Sequence, residues 1–251
     1  MTPEQFLAAA AAGFAAGTVN AVVGAGSLIT FPVLVLLGLP ALDANMTSNI
    51  GVLAGNIASI GGYRSHLAKA RDLLGWLAPA AVVGGLAGAL LLLVLPASAF
   101  STIVPVLVGL GIVLVIVGPF VSARVGKAGG WAAPAAVVAL AVALVSVYGG
   151  YFGAAQGVLL VGVLGLITRL DLQAVNAVKI VATTLVNLVS TIIFMSFGWA
   201  HLHWFYVLAV GIGATAGGIV GAHVGSRLPS VVLRGVIVVI GCIALVVLLR
   251  T

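Results

Sequence analysis

Charge is what this sequence has least of. Only four of its 251 residues are acidic and ten are Lys or Arg, 6% charged in all, too few to dress the surface of a water-soluble domain of this length. The shortage of acids leaves a net charge of +6. The basic residues are nevertheless scattered through short connectors and helix ends, with no basic stripe or aromatic platform, which excludes a nucleic-acid interface. A single cysteine, Cys242, excludes an internal disulfide or thiolate cluster within one chain; lying in an apolar run, it is expected simply to pack. No basic stretch precedes the apolar residues Phe6–Ala16, where Glu4 stands instead, so a cleaved signal peptide is not expected. No carboxylate pair, Ser/His/Asp set or metal-ligand spacing falls inside an apolar run. Catalytic residues, a metal site and a cofactor are therefore not expected, and an intramembrane enzyme is hard to build here.

What the chain has is hydrophobicity: 63% of residues are apolar and the mean hydropathy is +1.36. Long apolar segments run over 5–22, 45–63, 73–95, 102–121, 132–152, 174–197, 203–225 and 231–250, each of a length to cross a bilayer. Two others, 27–38 and 157–168, are too short: twelve helical residues reach only about 18 Å. Each short segment follows a glycine break, Gly24-Ala25-Gly26 in one case and Gly149-Gly150 through Gly153 and Gly157 in the other. Interrupted spans at matching places in two halves point to the binding site of a transporter.

The halves can be superimposed by sequence with an offset of about 130 residues. Asn45 then falls on Asn176, Asn56 on Asn187, Ser59 on Ser190, Trp76 near Trp204, Gly84-Gly85 near Gly217-Gly218, and Leu95-Pro96 on Leu228-Pro229. Their charges are opposed. Loop 64–72 holds Arg64, Lys69 and Arg71 where 197–205 has no Lys or Arg; 95–101 has none where 226–234 has Arg227 and Arg234; 38–44 has none where 167–173 has Arg169. Under the positive-inside rule this bias means opposite orientation. Connector 122–130, with Arg124 and Lys127, falls on the cytoplasmic side with loop 64–72, and only Arg250 is out of place. The expected fold is all-α: a polytopic transmembrane bundle of two inverted repeats, 1–125 and 126–251, with eight to ten membrane segments including two short broken or re-entrant helices.

Polar residues inside these spans are the candidate site. Asn176, Lys179, Thr183, Asn187 and Ser190 share one helical face, and the other half answers with Asn45, Ser48, Asn56 and Ser59, Val52 replacing Thr183. Such stripes face a bundle interior or a wet cavity rather than lipid, although interhelical hydrogen bonding is the competing use. Lys179, two turns inside its helix, must pair, snorkel or bind an anion, with Asp171 a candidate structural partner. After Gly24 and Gly26, the N-terminus of the short helix offers free N–H groups with the hydroxyls of Ser27 and Thr30; Gln156 and Gly157 hold the corresponding place, flanked by Tyr148 and Tyr151. Of the remaining polar residues, His201 and His203 beside Trp204 read as an interface belt, His66 as solvated, His223 as a packing or proton-linked group, and Asp43 and Asp72 as helix caps.

The run Gly17-Thr18-Val19-Asn20-Ala21-Val22-Val23-Gly24-Ala25-Gly26-Ser27-Leu28-Ile29-Thr30-Phe31-Pro32, then Gly38-Leu39-Pro40 and Ala44-Asn45-Met46-Thr47-Ser48-Asn49, resembles the sulfite exporter TauE/SafE family, as do Tyr148 through Gly157 and Val175-Asn176-Ala177-Val178-Lys179. It departs from that family's common Gly-x-Gly-Gly at Ser27. The resemblance implies a permease for sulfur-containing anions such as sulfite, sulfoacetate or thiosulfate, with protons as a candidate coupling ion. The chain is expected in a bacterial-type cytoplasmic membrane, with a homo-oligomer as a candidate assembly. The expected site combines Gly24, Gly26, Ser27, Thr30, Asn45, Ser48, Asn56, Gln156, Gly157, Asn176, Lys179, Thr183 and Asn187 around a small anion. An anion channel and a non-transporting membrane assembly are the alternatives.

Overall fold

The computed structural model describes residues 1–122, 133–224 and 230–249. Among these it holds ten helices of ten residues or more and no strand. They are α1 (Pro3–Val22), α2 (Ser27–Leu36), α3 (Ala41–Ile60), α4 (Arg71–Val94), α5 (Ala97–Ser122), α6 (Ala135–Tyr151), α7 (Gln156–Ile167), α8 (Leu172–Phe197), α9 (Trp204–Val224) and α10 (Ser230–Leu248). Every apolar segment read from the sequence is a helix. The chain between α3 and α4 winds through short helical turns carrying Arg64 and His66. Arg124, Lys127, Arg227, Leu228, Pro229 and Arg250, used above to orient the halves, lie outside the described residues, as does the side chain of Lys69.

Among the described residues five helices, α1, α4, α5, α8 and α9, are long and apolar enough to cross a membrane on their own. Helix α3 is also 20 residues long, but Asn45, Thr47, Ser48, Asn49, Asn56 and Ser59 are buried along it. Its polar groups face protein, so its low hydropathy does not place it in water. The outer surface is lined instead by residues such as Val94 (79% exposed), Phe205 (72%) and Val106 (70%), a coat that water would penalise and hydrocarbon does not. The protein is therefore an integral membrane protein. Cys242 belongs to this coat: it is free and exposed rather than packed, because Ile237 and Ala244 take the buried side of α10.

Helix starts follow local chemistry. Thr2 and Gln5 form a capping box on α1, and Asp171 caps α8 by accepting from Ala174 N. The capping expected of Asp43 and Asp72 is not found. Pro40 precedes α3 and Ala70 precedes α4, so both carboxylates fall inside the first turn, where only their charge favours the helix end.

Several helix pairings recur five places along the chain. Helix α1 packs on α9, and α6 on α4; α3 packs on α9, and α8 on α4; α2 meets α10, and α7 meets α5. The halves therefore interlock, each giving one long helix to the other's bundle. The seams are built from small residues. A Cβ on Gly213 or Gly217 would come within 2.0 Å of the carbonyl oxygen of Ala10 or Phe14, and one on Gly88 within 2.1 Å of that of Val147. Backbones this close gain dispersion that lipid cannot match. Helices α3 and α8, which the offset equates, run antiparallel: the start of α3 meets the residues after α8 through Asp43, His201 and His203, and Tyr63 and His66, beyond α3, share a cavity with Gln173 and Asn176 at the start of α8.

Candidate functional site

The two glycine breaks touch. Helix α1 stops at Val22 and α2 restarts at Ser27; α6 stops at Tyr151 and α7 restarts at Gln156. The turns use left-handed backbone at Gly24 (φ 84°) and Gly153 (φ 77°), and at Ala155 (φ 59°), a conformation glycine adopts freely and alanine at a cost. At each break the chain folds back: a Cβ on Gly26 would lie 2.3 Å from the Ala16 carbonyl oxygen, and one on Gly149 would strike the Gln156 carboxamide at 2.3 Å. Gly157 N donates to Gly24 O at 3.0 Å, and Ser27 Oγ donates to Gly153 O at 3.1 Å. A Cβ on Gly24 would lie 2.7 Å from Gly157 Cα, and one on Gly157 2.5 Å from Gly24 Cα. Only glycine fits on either side.

A cavity of about 20 Å³ adjoins this crossing, lined by Gly24, Ser27, Asn45, Ser48, Gln156, Gly157, Thr183 and Asn187 of the expected set, and by Asn20, Asn49, Val52, Phe152 and Gly153. Its donors are amides and hydroxyls from both halves. Gln156 Nε2 is buried with no hydrogen-bond partner, as is Asn49 Oδ1, and the Asn187 amide makes no hydrogen bond to a described residue. Other groups are committed: Asn45 Nδ2 donates to Tyr151 O at 3.0 Å, and Thr183 Oγ1 to Lys179 O at 2.9 Å. The volume holds one or two waters and not a four-atom oxyanion, so the site is contracted in this conformation.

Five expected residues stand outside the lining. Thr30 bonds Ser48 through their hydroxyls at 2.5 Å; Asn56 is tied to Asn20; Gly26 N bonds Asn20 Oδ1 at 3.3 Å. Asn176 lines two other cavities. Lys179 is 1% exposed, so it does not snorkel, and it does not pair with Asp171. Its ammonium donates to the carbonyls of Asn20 (3.4 Å) and Ala21 (3.3 Å) at the end of α1, where a cation answers the helix dipole. Its Cδ would lie 3.1 Å from a Cβ on Gly24, immediately behind the crossing. The free N–H groups expected at the short helices are mostly used: those of Leu28, Ile29 and Thr30, and of Gln156, Gly157, Val158 and Leu159, already have acceptors, because the first turns close on the carbonyls of the breaks.

Asn20 is the residue that sequence reasoning missed. It joins α1, the first break and α3, and the only available signal was an amide within an apolar run next to a glycine break. The His201–His203 pair is more than an interface belt: His201 Nδ1 lies 2.8 Å from one Asp43 carboxylate oxygen and His203 Nε2 lies 3.0 Å from the other. His66 bonds Ser65. His223 is exposed with Nδ1 beside Ile219 O, so it is not a packing residue.

No match was found among curated proteins or among solved structures. The family model described as sulfite exporter TauE/SafE matches residues 9–248, which include both glycine breaks and both polar stripes, and the chain belongs to this family of membrane transporters.

Proposed function

We propose that the protein is a secondary carrier for a small sulfur oxyanion or sulfonate of the sulfite, thiosulfate or sulfoacetate type, bound beside the crossing of the two interrupted helices. The observation that carries this reading is the pairing of a donor-lined cavity with a buried cation that has no acidic partner among the described residues. Lys179 donates two hydrogen bonds to backbone carbonyls, which carry no formal charge to cancel that of an ammonium. In a low-dielectric interior such a charge favours a mobile anion close by. The amides of Gln156 and Asn187 would supply hydrogen bonds, and the dipoles of α2 and α7 add to the positive potential.

The halves are read as inverted, with the face bearing Arg64, Arg71 and Arg169 inside; the antiparallel course of α3 and α8 and the matched packing of the two halves support this. Alternating access would rock one bundle, α1 with α3 and α9, against the other, α6 with α8 and α4, across the glycine crossing. Because each bundle borrows a helix, the moving bodies are not the sequence halves. A carrier reading also agrees with a centre too small for a standing anion pore.

Purified protein in proteoliposomes should take up labelled sulfite with saturable kinetics, and planar bilayers should show no unitary anion conductance. Lys179→Ala should lower the flux about tenfold or more in protein that still elutes as a folded species. Unchanged flux would remove Lys179 from the function, and a conductance would replace the carrier by a channel.

A further inference from the structure

A second cavity, of about 240 Å³, lies at the end of α1, walled by Val22 and Val23, by Val115 and Gly118 of α5, by Val158 and Val161 of α7, and by the start of α8. Two polar side chains border it, Asn176 of α8 and Arg234 of α10. Arg234 Nε is buried without a hydrogen-bond partner, and the Asn176 amide makes no hydrogen bond to a described residue. Among the described residues no carboxylate lines the space.

A guanidinium carries five N–H donors and cannot shed its charge, so leaving it among valines is costly unless something negative meets it. The side chain is half-buried, and at its buried Nε the usual remedy of water is removed. The volume suits a small oxyanion, which one or two guanidinium N–H groups and an amide could hold by charge-assisted hydrogen bonds. Asn176 also borders a further cavity of about 360 Å³ with Tyr63, His66 and Gln173, on the face that carries the basic turns. Asn176 thus stands between that face and Arg234.

We infer that Arg234 and Asn176 form a second oxyanion site, separate from the cavity at the glycine crossing and displaced toward the basic face. The group bound carries anionic oxygens, supplied by free sulfite or by a lipid headgroup. On the carrier proposal the site is a staging post for the transported anion; the binding site itself does not depend on transport.

The full chain in nanodiscs of neutral phosphatidylcholine would be titrated with sulfite by calorimetry. Two sites per chain are expected. Arg234→Gln should abolish the site at the basic face or weaken it at least tenfold, leaving the other unchanged, whereas Asn187→Ala should do the reverse. Arg234→Lys keeps the charge but loses the planar fork and should bind with intermediate affinity. In discs containing phosphatidylglycerol, loss of the Arg234-dependent sulfite site together with native-mass retention of that lipid, itself abolished by Arg234→Gln, would assign the site to a headgroup. If neither sulfite binding nor lipid retention changes in folded Arg234→Gln protein, the site is refuted. Failure of transport with two intact sites would instead count against the carrier reading alone.

Discussion

The ends of α1 and α6 occupy matching places and have unlike surroundings. At the end of α6 the Tyr151 carbonyl accepts the Asn45 amide, and the rings of Phe31, Phe100, Tyr151 and Phe152 pack with centroids 5.2 to 6.2 Å apart. At the end of α1 the carbonyls take the Lys179 ammonium, while Asn176, the counterpart of Asn45, bonds no described residue and borders open space. One end is sealed by aromatic packing and the other is hollow. The pairings of α1 and α3 with α9 recur as those of α6 and α8 with α4, and the side chains at the breaks differ most visibly. On the carrier proposal the two ends display, in one molecule, the shut and open arrangements that each would adopt in turn.

Substitutions at equivalent positions test that comparison. The largest effect is expected at the crossing: Gly24→Val and Gly157→Val each drive a side chain into the opposite backbone. Both should abolish sulfite flux and cost roughly 1–3 kcal/mol or more in unfolding stability; tolerance of either would separate the breaks functionally. Next come Asn187 and Asn56. Asn187→Ala should cut flux about tenfold with little change in thermal stability, because its amide is uncommitted, whereas Asn56→Ala breaks a bond to Asn20 and should cost about 1–3 kcal/mol. Equal stability losses would mean that both amides are only structural. A smaller contrast lies at the starts of the short helices. Ala155 holds φ 59° and its counterpart Gly26 holds −60°, so Ala155→Gly should gain about 1 kcal/mol, while Gly26→Ala should lose stability against Ala16. Smallest is Asp43→Asn, which removes the carboxylate that two partly exposed imidazoles contact and should lower stability by up to about 1 kcal/mol, read as a shift in thermal unfolding.

Much of the frame could be read from residue order. Ten apolar runs became ten helices, and the two glycine breaks ended up against each other, because hydropathy and glycine placement are local signals that the membrane enforces. Boundaries moved where proline intervened: α3 begins at Ala41 after Pro40 rather than near Asn45. Side-chain commitments were less accessible. Lys179 and Asn187 share a helical face, yet one reaches the end of α1 and the other the cavity. That difference depends on which neighbouring helix presents unsatisfied carbonyls. Asp43 looked like a cap because its imidazole partners lie 158 and 160 residues away. Asn20 gave no periodic signal, being alone on its helix face.

The exchange of long helices has a consequence for biogenesis. Thr18 on α1 donates to the Gly217 carbonyl, 199 residues later in the chain, and the carbonyls of Ala10 and Phe14 await glycines of α9. Helix α1 therefore leaves the ribosome long before its partner exists and must wait in lipid with its small-residue groove unfilled. Assembly of the first bundle can finish only after α9 has been inserted, so the amino-terminal half synthesised alone should be a target for membrane quality control, and its rescue by the separately expressed second half would trace the order of assembly.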